Sequence, residues 1–93
     1  MMPRVTVADF QFSERAAAKM WEHGIHFHQL SEVLNHPRFA VRNRKNHAAD
    51  YLLIGRDNSG RCITIPMLPT DNHHLWRPIT AWYCKPSEAA KLR

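Results

Sequence analysis

Ninety-three residues, 44% apolar and including three Trp, four Phe and two Tyr, exclude a disordered chain and set the scale of one small domain, residues 1–93. No run approaches the ~20 apolar residues of a membrane span. Met1 to Phe10 also lacks the basic flank and apolar stretch of a signal peptide, so a cytoplasmic protein without membrane contact is expected. Thirteen Lys and Arg against eight Asp and Glu leave +5, and nine of the thirteen are Arg, whose planar donor fork suits phosphate; an anionic partner, RNA first, follows.

In chain order, Val5 to Phe12 alternates loosely and suits a short strand or an extended lead-in. Ser13 is an N-cap residue and Glu14 suits the positive end of a helix dipole. Ala16, Ala17, Met20 and Trp21 then form a helical stripe that Gly24 ends. A second helix is expected from about His28 to Asn35, with Phe27, Leu30, Val33 and Leu34 on one face and Pro37 blocking continuation. His26 is a poor N-cap for it. The period then changes: Phe39 to Arg44 alternates as a strand with one basic face. Tyr51 to Ile54 is apolar throughout, as a central strand would be, and Asp57-Asn58-Ser59-Gly60 is a turn. Arg61 to Met67 makes the next strand, with Pro66 expected at its end or at a sheet edge. Leu68 to Leu75 reads as a loop, and Arg77 to Tyr83 as the last strand, with Ile79, Ala81 and Tyr83 on one face. Pro86-Ser87-Glu88 opens a short C-terminal helix. The fold class expected is α+β: a helical hairpin, a three- to four-stranded antiparallel sheet, and a short final helix. All helices would lie on one sheet face, leaving the other open to a ligand.

Cys62 and Cys84 allow at most one disulfide and form no Cys-x-x-Cys pair; Cys62, in an apolar run, reads as a small core residue. Seven histidines invite a metal. However, neither His26-x-His28 nor His73-His74 is completed by a Cys or acidic residue at zinc spacing, so neither a metal nor another cofactor is expected.

Several stretches taken together resemble the BrnT-like toxins of the RelE-like ribonuclease superfamily. They are Lys19-Met20-Trp21-Glu22-His23-Gly24-Ile25-His26-Phe27, Glu32-Val33-Leu34-Asn35-His36-Pro37, Tyr51-Leu52-Leu53-Ile54-Gly55-Arg56, Gly60-Arg61, Arg77-Pro78-Ile79-Thr80-Ala81, and Ser87-Glu88. The resemblance implies a RelE-like fold, an RNA-cleaving toxin, and a cognate antitoxin protein that occludes it, in a homodimer or a toxin–antitoxin heterocomplex. Where the family's last strand commonly ends Ser-Ala-Arg, this chain has Thr80-Ala81-Trp82, so Lys85 or Arg77 would replace that cation or cleavage would be weak. A sister group opens its first helix with Ser-x-His-Ala; here the His position is Arg15.

Metal-independent cleavage needs a base for the 2′-OH, an acid for the leaving oxygen, and cations around the phosphate. Arg56 and Arg61 flank one turn, where both guanidiniums could serve one phosphate, and Arg77 opens the last strand beside Trp76, a stacking platform. Lys45 is a further cation for the transition state, and His47 and Glu88, with His73 and His74, are proton-transfer candidates. Arg42, Arg44, Trp76 and Lys85 are expected to bind RNA. Two alternatives stand beside cleavage: a non-catalytic nucleic-acid-binding module, or a protein-interaction module anchored by Trp21, Trp76 and Trp82.

Overall fold

Ser13 begins the first helix: in the computed structural model, which describes residues 5–43 and 49–92, its Oγ accepts the Ala16 N–H at 3.1 Å. Helix α1 runs Glu14–Glu22 and ends where Gly24 takes φ 75, a left-handed turn that glycine enters without steric cost. Helix α2, Phe27–Val33, follows directly. His26, a weak cap by residue type, caps it all the same: its Nδ1 accepts the His28 N–H at 3.2 Å, while the Gln29 side-chain Oε1 accepts the His26 N–H at 2.8 Å.

The strands are β1 (Asp9–Phe10), β2 (Arg38–Arg42), β3 (Tyr51–Arg56), β4 (Cys62–Pro69), β5 (Leu75–Pro78) and β6 (Trp82–Tyr83). Helix α3 (Pro86–Ala89) and a 3₁₀ turn (Ala90–Leu92) close the chain. The sheet order is β1-β5-β4-β3-β2, with β6 also on β4. The expected antiparallel sheet of three or four strands is therefore a mixed sheet of six. The difference lies at its edge: Asp9 and Phe10 pair in parallel with Leu75 and Trp76, because burying Val7 and Phe10 docks the lead-in beside the last strand.

Pro66 sits in the middle of β4, the central strand, and not at an end or edge. Its missing N–H faces the β5–β6 side, where Ile79 donates to the Pro66 carbonyl at 2.9 Å. On that side the ladder is already broken. Met67 pairs with Pro78, but Thr64 pairs with Trp82, so β5 and β6 are one strand interrupted by a single extra residue. The bulge also splits the face expected to carry Ile79, Ala81 and Tyr83 together. Ala81 and Tyr83 turn to the helix side, Ala81 fully buried there, whereas Ile79 stands opposite Pro66 on the other face.

Leu53, Ile63, Ile65 and Met67 pack against Ala16, Met20, Leu30 and Val33, forming the inner core. Ile54 and Thr64, alternating with them, are equally buried on the outer face. There Glu88 of α3 reaches Thr64, and the 3₁₀ turn packs on β2 and β3. Helices thus cover both faces, and the outer one is only partly open. Cys62, expected as a plain core residue, is instead bonded to Cys84 across the β4–β6 ladder.

Candidate nucleic-acid interface

The β3–β4 hairpin carries Arg56 and Arg61 but points them to opposite faces. Arg56 pairs with Cys62, lies outward beside Leu92 in a cleft of about 270 Å³, and donates to the Gly60 carbonyl at 3.3 Å. Arg61 reaches inward to the Tyr83 hydroxyl at 3.1 Å, with its guanidinium 5.8 Å from that ring's centroid. The same hydroxyl accepts from the Gln29 amide at 3.2 Å. Asp57, 3% exposed, braces the turn: one oxygen accepts the Ser59 and Arg61 N–H groups at 2.9 Å and the other the Gln29 amide at 3.2 Å. The single phosphate site expected between Arg56 and Arg61 is therefore not formed. The strand alternation that separates their side chains is the reason.

Arg77 is farther still. It pairs with Leu68, six residues along β4 from the partner of Arg56, a span of roughly 20 Å at the strand rise. Between them the outer face carries one polar cluster. The Glu88 Oε1 accepts from the Thr64 hydroxyl at 3.0 Å, the Trp82 indole at 3.1 Å and the Lys85 N–H at 2.8 Å. The Lys85 ammonium lies 5.9 Å from the Trp82 ring centroid. Among the described residues nothing donates to the Glu88 Oε2.

Trp76 offers no stacking platform: it is 7% exposed, packs edge-on to Tyr51, and donates its indole N–H to the Thr6 carbonyl at 3.0 Å. Arg42 lies over the Tyr51 ring at 5.8 Å. Arg44, Lys45 and His47 fall outside the described residues. His73 and His74 are exposed in the loop before β5. Of the three tryptophans, Trp21 alone is a large exposed apolar group, at 66%.

Sequence reasoning missed a groove of about 230 Å³ between α1 and β5, lined by Ser13, Arg15, Lys19 and Arg77. The i, i+4 spacing of Arg15 and Lys19 was visible. Their meeting with Arg77 was not, since it depends on β1 pairing with β5.

Fold and sites define a small α+β protein whose exposed cations are spread over the first helix, the strands and the C-terminal helical turn. No protein-family model matches the chain, and no curated protein matches it.

Proposed function

We propose that this chain is a BrnT-like toxin of a toxin–antitoxin pair, an endoribonuclease whose chemistry lies at Glu88, Trp82 and Lys85. The observation that carries the reading is the state of Glu88: three donors fix one carboxylate oxygen and leave the other able to take a proton. In this mechanism Oε2 takes the proton of an RNA 2′-OH. The 2′-oxygen bonds to the adjacent phosphorus, the P–O5′ bond breaks, and a 2′,3′-cyclic phosphate and a 5′-OH result. Lys85, in the place of the family's arginine, supplies positive charge to the phosphorane and a proton to the leaving oxygen. Of the RelE-like arrangement expected, the fold keeps two helices followed by the antiparallel β2–β3–β4 strands, and the parallel β1–β5 pair departs from it. An antitoxin protein would cover this face. Among the described residues no helix is long and apolar enough to cross a membrane. In the cytoplasm we propose for it, Cys62 and Cys84 would be held as thiols, and cleavage would not need their bond.

Total RNA incubated with purified protein in chelator tests this reading. Cyclic-phosphate-ended fragments are expected, with a rate loss of about 100-fold or more in Glu88→Gln, which keeps the accepting oxygen but not the base. The spread of Arg56 and Arg77 along the sheet favours a second reading, a module that holds an RNA strand without cutting it. Intact RNA at protein excess, with binding retained, would establish that reading and overturn cleavage.

A further inference from the structure

The groove between α1 and β5 brings together cations that have no partner among the described residues. Most other described cations have partners: Arg38 donates to the Leu34 and Val7 carbonyls, Arg56 to Gly60, and Arg61 to Tyr83. Arg42 and Lys85 lie over aromatic rings. Arg15, Lys19 and Arg77 have no hydrogen bond, ion pair or ring contact among the described residues, yet all three line one concavity.

The topology explains the convergence. Strand β1 covers the edge of β5 only at Leu75 and Trp76, and its ladder ends where Gln11 donates to the Trp76 carbonyl at 2.8 Å. The chain then turns through Ser13 into α1, which sets Arg15 and Lys19, one helical turn apart, beside the uncovered Arg77 and Pro78. Ser13 uses one oxygen lone pair to cap the helix, so its hydroxyl remains able to donate to a further acceptor. Three cationic residues line this one small volume, so an anion seated there would be attracted by all of them. No carboxylate lines the groove.

We infer that this groove is a phosphate site, binding a backbone phosphate of a single-stranded nucleic acid away from Glu88. The inference rests on the RNA reading only for the source of the phosphate; the anion chemistry stands without it. Two forked guanidiniums and an ammonium can donate to several oxygens of one group at once, as the non-bridging oxygens of a phosphate require.

The test has two arms. Inorganic pyrophosphate titrated into ¹⁵N-labelled protein is expected to shift the Arg15 and Arg77 Nε–H signals saturably, with those of Arg56 and Arg61 unmoved. In binding of a short single-stranded RNA, the Arg15→Gln/Lys19→Gln/Arg77→Gln variant is expected to reduce the slope of log affinity against log salt by about 0.7, the contribution of one phosphate on a single strand. Exposed or half-exposed polar replacements leave the core intact, and wild-type signal dispersion in the variant confirms folding. Pyrophosphate shifts spread evenly over all arginines, or a variant with the wild-type slope, overturn the groove. The two readings separate: cleavage with an unchanged slope defeats the groove alone, and saturable pyrophosphate binding without RNA binding supports the groove and defeats the RNA reading.

Discussion

Cys62 and Cys84 face each other across the β4–β6 ladder, the Cys84 N–H donating to the Cys62 carbonyl at 3.0 Å and the sulfurs joined with Cα atoms 5.3 Å apart. The bond closes a loop of 22 residues and holds the strand that leads into α3. Constraining a loop of that length in the unfolded chain stabilises by about 3 kcal/mol. Cys62→Ala/Cys84→Ala is expected to lose about that much in urea unfolding, and wild type under reductant to fall to nearly the same midpoint. Equal midpoints with and without reductant would show that the cross-link contributes nothing.

Gly55 is required by packing. A Cβ there would meet Val33 Cγ1 at 2.5 Å and Arg38 Cβ at 3.2 Å, so α2 lies directly on β3. Val33 is β-branched and stiff in a helix, and cannot swing away. Gly55→Ala is expected to destabilise by about 1–3 kcal/mol. Adding Val33→Ala, which removes the nearest methyl, should recover part of that loss; a strictly additive double variant would place the strain elsewhere.

The donors around Glu88 separate its structural from its chemical role. Glu88→Ala takes the acceptor from the Trp82 indole N–H and leaves the buried Thr64 hydroxyl only the weaker Cys84 Sγ at 3.3 Å, and should cost about 1–3 kcal/mol in stability. Glu88→Gln retains an acceptor for all three donors and should cost less than about 1 kcal/mol. Trp82 fluorescence reports the same contrast, shifting in the alanine variant and staying near wild type in the glutamine variant.

At the bulge, the Thr80 Oγ1 is buried without a hydrogen-bond partner among the described residues. A hydroxyl in that state is unfavourable, so Thr80→Val is expected to leave stability unchanged or raise it by about 1 kcal/mol. A fall of more than about 1 kcal/mol would mean that the hydroxyl has a partner after all.

Much of the fold could be read from the chain because local chemistry decides it. Ser13 and Gly24 bracket α1 within a residue, Pro37 stops α2, and Asp57 with Gly60 turns β3 into β4, since capping oxygens, left-handed glycine and Asx turns act over a few residues. Pro66 misled because its ring forbids one ladder bond without saying on which side that bond would lie. Only the bulge opposite it made that side harmless.

The composition alone determined that the chain is arginine-rich and basic, and its periodicity determined that it is α+β. Which arginines meet was decided by tertiary structure. Strand alternation sent Arg56 and Arg61, close in sequence, to opposite faces. The parallel β1–β5 pairing brought Arg15 and Lys19 to Arg77, from the far end of the chain. Side-chain facing within one hairpin follows from a period of two, but contact between distant segments depends on pairing that no local pattern encodes.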